Sequence, residues 1–107
     1  MPPAPENQPD SQLEEAARLF SVFSEPARLK ILSLLREKSR CGRELALHLE
    51  LTPATTCHHL ERLKLMNLLE ERRAGKRVYY SIVDNELARA VERSMAALQG
   101  TEKPESQ

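Results

Sequence analysis

The sequence has few cysteines and no long apolar run. Cys41 and Cys57 are the only cysteines among 107 residues, too few for a disulfide framework and too loosely spaced for a complete zinc site on one chain. We therefore expect both to be reduced thiols. No stretch approaches the roughly 18 consecutive apolar residues of a membrane span, and the polar start from Met1 to Gln12 has no signal-peptide core. These absences predict a cytoplasmic protein with no membrane partner.

The chain also lacks net charge, because 16 Lys and Arg residues balance 16 Asp and Glu residues. Zero net charge argues against a nucleic-acid partner, since Lys and Arg supply phosphate contacts. The distribution argues the other way: residues 26–82 hold twelve basic and six acidic residues and all three histidines, and both flanking segments are acidic. A basic middle between acidic ends predicts a localised DNA-facing surface, with ordinary solvated charge as the alternative interpretation.

The length and the 40% hydrophobic content predict one compact domain with one core. Residues 1–10 and 100–107 are tails dominated by Pro, Gln, Glu and Ser. Such segments bury too little apolar surface to offset the entropy lost on ordering, so we expect them to be disordered. The folded unit is predicted to span residues 11–99.

The spacing of apolar residues predicts four helices in the first two thirds of this unit. A first helix capped by Ser11 and a second beginning at Pro26 precede a short third helix from Arg43 to Leu49. Thr52 as N-cap and Pro53 as the first helical residue predict a fourth helix. The short turn between the third and fourth helices predicts a helix-turn-helix.

After Asn67, the predicted stop of the fourth helix, the apolar period becomes that of a strand. Residues 69–73 and 77–82 are strand-like runs on either side of a loop that contains Gly75, and they predict a basic β-hairpin, the wing. Asp84 then begins a last amphipathic helix. The predicted fold is mainly α with a two-stranded β-hairpin wing between the fourth and fifth helices.

Three segments resemble the ArsR/SmtB family of bacterial repressors in their order and spacing. They are residues 23–32 in the second helix, residues 51–60 in the recognition helix and residues 72–80 in the wing. The resemblance implies a winged helix-turn-helix transcriptional repressor, not an enzyme, that binds a palindromic double-stranded DNA operator as a homodimer. It also implies that the first and last helices form the dimer. Thr56 and Cys57 stand where the family usually has Val and Ser, which leaves the base preference open.

The fourth helix and the wing supply the predicted DNA contacts. Leu60 and Leu63 fix the inward side of the helix, so hydroxyl, imidazole and guanidinium groups lie on the opposite face, where they suit base edges and phosphates. Cations of the wing suit the DNA backbone or minor groove. The predicted DNA-binding residues are Thr52, Ala54, Thr55, Thr56, His58, Arg62, Arg72, Arg73, Lys76 and Arg77. His59 is instead predicted to be a buried or half-buried hydrogen-bonding residue, and one of Tyr79 and Tyr80 to lie in the core.

Both terminal helices carry apolar stripes that would stay exposed on a domain this small unless two copies associated. The predicted dimer interface consists of Leu13, Ala17, Phe20, Val91, Met95 and Leu98.

The metal sites that the resemblance implies are incomplete. Cys41 matches the first cysteine of the family's Cys-x-Cys box, but Arg43 replaces the second. The positions of a second family site hold Asp84, Glu86, Ala97 and Gly100, so at most half of its ligands remain. We therefore predict no cofactor and no metal site. The alternative is a derepressor that senses a divalent metal or a thiol reagent through Cys41 or Cys57.

Two other function classes have less support. A winged-helix protein-interaction module would need an exposed apolar patch in place of the polar face of the fourth helix, and the sequence shows none there. An enzyme would need Cys57 to pair with His58 or His59, and adjacent side chains on a helix diverge.

Overall fold

The computed structural model describes residues 10–100, which form five helices and three strands. The elements are α1 (Asp10–Val22), α2 (Pro26–Glu37), β1 (Arg40–Cys41), α3 (Gly42–Leu49), α4 (Pro53–Leu65), β2 (Leu69–Ala74), β3 (Arg77–Ile82) and α5 (Glu86–Gly100). The predicted winged helix-turn-helix is confirmed. The expected tails lie outside the described residues except for Asp10 and Gly100, which are helical and so belong to the folded unit.

Local signals place the boundaries of α4 as predicted. Thr52 is the N-cap, and its Oγ1 accepts a hydrogen bond from the Thr55 N–H at 3.1 Å. Pro53 follows as the first helical residue, where its missing N–H costs nothing. Beyond the helix, Asn67 has φ 60°, in the left-handed region that stops a helix.

Two predicted helix starts are wrong. α1 is already helical at Asp10, so Ser11 lies inside the helix and does not cap it. α5 begins at Glu86 and not at Asp84. Its cap is Asn85, whose Oδ1 accepts a hydrogen bond from the Ala88 N–H at 2.8 Å, while its Nδ2 donates to the Asn67 carbonyl at 2.8 Å.

The hairpin belongs to a three-stranded antiparallel sheet in the order β1-β3-β2. The added strand, β1, lies between the second and third helices and was not predicted. Arg40 pairs with Tyr80 and Cys41 with Tyr79. Because α3 begins directly after Cys41, β1 attaches the start of that helix to the wing.

The wing itself follows the predicted hairpin closely. β2 and β3 pair from Leu69 opposite Ile82 to Ala74 opposite Arg77, which leaves a two-residue turn. Gly75 in this turn has φ 66°, a conformation that glycine adopts without steric cost.

The core lies between the helices and the inner face of the sheet. It includes Val22, Ile31, Leu32, Leu35, Leu45, Leu60, Leu63, Leu68, Leu69, Tyr80, Ala88, Val91 and Met95. Tyr80 is therefore the core tyrosine, and Tyr79 is half-buried. The assignment of Val91 and Met95 to the dimer interface is wrong, because both side chains point into the core of their own protomer.

Candidate nucleic-acid interface

The outer face of α4 carries the predicted base-contacting groups. Ala54, Thr55, His58 and Arg62 are all exposed, whereas Leu60 and Leu63 on the opposite side are buried. Thr52 donates to the Thr55 hydroxyl at 3.0 Å, so the helix begins with two linked hydroxyl groups at the surface. This face can therefore donate and accept hydrogen bonds along nearly three turns of helix.

Thr56 does not belong to this face, and its assignment as a DNA contact is wrong. It precedes Leu60 by four residues and so lies on the inward side of the helix. Its side chain is 1% exposed, and within residues 10–100 its Oγ1 has no hydrogen-bond partner. Thr56 consequently packs α4 onto the domain.

His59 is buried, as predicted, on the side of α4 that faces α2. Burial and the neighbouring guanidinium of Arg28 lower the pKa of His59 below its ordinary value, while Glu25 opposes this shift. The predicted hydrogen bond is not found at Nδ1, which has no partner in the described part of the chain. Arg28 is buried as well, and it donates to the Ser21 carbonyl at 3.1 Å.

The wing presents four exposed cations, Arg72, Arg73, Lys76 and Arg77. None of them forms an ion pair with a described residue, and the same is true of Arg62 on α4. Arg77 also donates from Nη1 toward the Sγ of Cys41 at 3.8 Å. The wing cations and Arg62 are therefore exposed and have no ion pair with a carboxylate within residues 10–100.

Several cations elsewhere in the domain do have carboxylate partners. Arg36 contacts Glu92 at 3.0 Å, and Arg40 contacts Glu37 at 2.6 Å. Lys64, which the sequence did not single out, contacts Glu71 of β2 at 2.8 Å, and this hydrogen bond raises the pKa of Lys64. The Lys64 contact ties the recognition helix to the wing.

Comparison with known proteins identifies the family. Residues 25–71 match the family described as bacterial regulatory protein, arsR family. The chain is 34% identical to a transcriptional repressor SmtB homolog of Synechocystis over 69% of this chain and 56% of that protein. It is 32% identical to the HTH-type transcriptional repressor SmtB of Mycobacterium tuberculosis over 84% of this chain and 67% of that protein. The chain belongs to the arsR family.

The fold of this arsR-family chain agrees with that assignment. It resembles the homodimeric winged helix-turn-helix DNA-binding domain from Mycobacterium bovis with a TM-score of 0.76, at 28% identity over 86% of this chain and 85% of that one. The predicted class, a transcriptional regulator of this family, is confirmed. Across residues 10–100, no helix is both long and apolar enough to cross a bilayer.

The two cysteines of this arsR-family chain differ in their surroundings. Cys41 is 2% exposed and lies under Arg77, whereas Cys57 is exposed on α4. Among the described residues, no three His, Cys, Asp or Glu side chains are grouped closely enough to hold a metal ion. The structure therefore does not bring Cys41 and Cys57 into one ligand set.

Proposed function

We propose that this chain represses transcription by binding a palindromic double-stranded DNA operator as a homodimer in the cytoplasm. The observation that carries the proposal is a cluster of wing cations, none paired with a described carboxylate, beside an exposed polar face on α4. The relatives named as transcriptional repressors, and the homodimeric DNA-binding domain from Mycobacterium bovis, support the same function.

In this proposal the exposed face of α4 enters the major groove. Thr55 and His58 offer hydrogen-bonding groups to base edges or phosphates, and Arg62 offers a planar guanidinium that suits O6 and N7 of guanine. Thr52 and Ala54 lie at the entry of the helix, where the backbone approaches the DNA most closely.

The wing acts mainly through charge. Arg72, Arg73, Lys76 and Arg77 neutralise backbone phosphates or reach into the adjacent minor groove. Such contacts are largely independent of base sequence, and they make affinity fall as salt concentration rises.

The dimer is proposed to form through the terminal helices. Leu13 and Phe20 of α1 are 64% and 68% exposed, Ala17 is exposed between them, and Leu98 of α5 is also largely exposed. A symmetric dimer would cover these apolar groups and present two recognition helices about one helical turn of DNA apart, or a multiple of it.

Alanine variants of the helix and of the wing should separate base contacts from phosphate contacts. We expect Arg62→Ala or His58→Ala to cost roughly 1–3 kcal/mol per half-site on a selected operator and much less on random duplex, because a lost base contact reduces discrimination. We expect Lys76→Ala or Arg77→Ala to weaken both DNAs alike and to flatten the plot of log affinity against log salt. Fluorescence-anisotropy titrations at several salt concentrations measure all of these quantities.

The matched control is Arg93→Ala, which removes an exposed cation of α5 that has no ion pair within residues 10–100. It should change neither the affinity nor the salt slope. Equal losses on operator and random DNA for the His58 and Arg62 variants would show that α4 does not read the bases.

We also propose that Cys41 and Cys57 hold no resident metal. A guanidinium rests against the sulfur of Cys41, and a cation is a poor neighbour for a bound metal ion. Protein purified under reducing conditions should therefore contain no stoichiometric zinc, cadmium or nickel by elemental analysis. Stoichiometric metal that releases DNA, and that is lost in Cys41→Ser or Cys57→Ser, would instead establish a metal-responsive derepressor.

A further inference from the structure

A basic cleft lies beside the wing, between the start of α3 and strand β3. We call it the α3–wing cleft; it has a volume of about 210 Å³, and the lining residues used below are Cys41, Gly42, Arg43, Lys76 and Arg77. Three of these carry a positive charge, and none of the residues that line the cleft is acidic. The cleft therefore combines an open concave surface with a local excess of cations.

The cations converge from parts of the chain that are far apart in sequence. Arg43 belongs to the first turn of α3, whereas Lys76 and Arg77 come from the tip of the wing. The two-residue strand β1 makes this possible, because its pairing of Cys41 with Tyr79 holds the start of α3 against β3. Arg43 was not among the residues predicted from the sequence to contact DNA.

The charges in the cleft are available to a ligand. Arg43, Lys76 and Arg77 are exposed, and none forms an ion pair within residues 10–100. Glu44, the next residue of α3, already accepts a hydrogen bond from the Cys41 N–H at 3.1 Å. Arg77 rests on the Cys41 sulfur at 3.8 Å, which leaves most of its five donors unused.

We propose that the α3–wing cleft binds a backbone phosphate of the DNA and that Arg43 is a DNA-contacting residue. The proposal rests on the proposed function, since it assumes that the wing lies against the duplex. A phosphate group carries a full negative charge and several acceptor oxygens, which suit guanidinium and ammonium donors arriving from two sides. The cleft shares Lys76 and Arg77 with the wing, so a duplex held by the wing brings its backbone to the cleft.

The first test compares four proteins on a duplex that the unaltered protein selects from a random-sequence library. These are the unaltered protein, Arg43→Gln, Arg43→Lys and the control Arg93→Gln. If each protomer loses one phosphate contact, Arg43→Gln should lower the magnitude of the salt slope by about two for the dimer, since each contact contributes roughly 0.9. Arg43→Lys should keep most of the slope because it keeps the charge, and Arg93→Gln should keep all of it.

A second test locates the phosphate. Single phosphates of the selected duplex are replaced in turn by uncharged methylphosphonates, and the affinity of each duplex is measured. At the phosphate that the cleft binds, the replacement should weaken the unaltered protein but cause no further loss in Arg43→Gln. The absence of any such position, or equal salt slopes for Arg43→Gln and Arg93→Gln, would overturn the proposal.

The outcomes distinguish this proposal from the one on which it rests. In one outcome, the His58 and Arg62 variants lose affinity for the selected duplex but not for random DNA, and Arg43→Gln leaves the salt slope unchanged. The repressor function would then stand, and the cleft would have no part in it. In another outcome, the unaltered protein binds inorganic phosphate saturably, and Arg43→Gln abolishes this binding without changing the salt slope of DNA affinity. The cleft would then bind a free anion, and the proposed DNA contact would be overturned. No binding to any duplex would overturn both proposals. Thermal melting confirms that each variant is folded.

Discussion

The surface formed by α1 and α5 and the surface formed by α4 and the wing expose different kinds of side chain. On α1, Leu13 and Phe20 expose most of their apolar area. On the wing, Lys76 and Arg77 expose charges that no described carboxylate neutralises. The α1–α5 surface suits contact with another apolar surface, and the α4–wing surface suits a polyanion such as DNA. In a chain whose net charge is zero, the DNA surface is therefore indicated by the clustering of such cations on the wing.

The layers beneath these two surfaces differ as well. Under α5, Val91 and Met95 pack apolar atoms into the core. Under α4, the buried side chains include Thr56, His59 and, from α2, Arg28, each with one polar atom that has no hydrogen-bond partner among residues 10–100. Because one of these side chains is a histidine, changes in pH should affect the packing behind the recognition helix more than the packing of the terminal helices.

The largest expected effect comes from a charge placed on the apolar surface. Phe20→Asp should raise the dimer dissociation constant by about 1000-fold or more, because an aromatic side chain at a symmetric interface is lost twice and a carboxylate is introduced twice. Sedimentation at micromolar concentration should then give the 12.2 kDa mass of one chain, in place of about twice that mass for the unaltered protein.

A suitable control for this prediction is Leu47→Asp, which introduces the same charge at a leucine that is 78% exposed on α3. It should leave the dimer intact. A monomeric Phe20→Asp protein that still binds a palindromic duplex as tightly as the unaltered protein would contradict the division between a dimer surface and a DNA surface.

A smaller effect is expected from the titration of His59. Burial and Arg28 lower its pKa below 6.5, so the unfolded chain takes up this proton at a higher pH than the folded chain does. The free energy of unfolding is then fully retained above about pH 6.5 and decreases as the pH falls from there toward the folded-state pKa. The melting temperature should drop between about pH 7.5 and pH 5.5, and it should drop less in His59→Gln.

The neighbouring His58 provides the comparison, because it is exposed on the outer face of the same helix. His58→Gln should keep the pH dependence of the unaltered protein. An equal reduction of the pH dependence in both variants would mean that the buried position of His59 does not cause it.

Much of the fold could be predicted because its signals are local. Thr52 and Pro53 specify the start of α4 by a side-chain cap and a fixed φ, and Gly75 specifies the turn of the wing. The outer face of α4 follows from helical periodicity, since Leu60 and Leu63 identify the inner side. The family resemblance added the homodimer and the repressor function, which periodicity alone does not give.

The features that sequence reasoning missed depend on contacts between distant segments. Strand β1 has two residues, too few to show an alternating pattern, and it exists because Arg40 and Cys41 pair with β3. Periodicity placed Met95 on an apolar stripe, but it does not say whether the stripe faces its own core or a second copy. Arg43 lies more than thirty positions from Lys76 and Arg77, and only the folded sheet brings these three cations into one cleft.

One amide side chain joins the two halves of the molecule. Asn85 binds the Asn67 carbonyl, just past the recognition helix, and the Ala88 N–H in the first turn of α5. Each of its two hydrogen bonds, both at 2.8 Å, holds a different helix end. In the proposed dimer, this link helps to set the angle between α5 and the recognition helix. The spacing of the operator half-sites, a property of DNA, would thus depend in part on the hydrogen bonds of one asparagine.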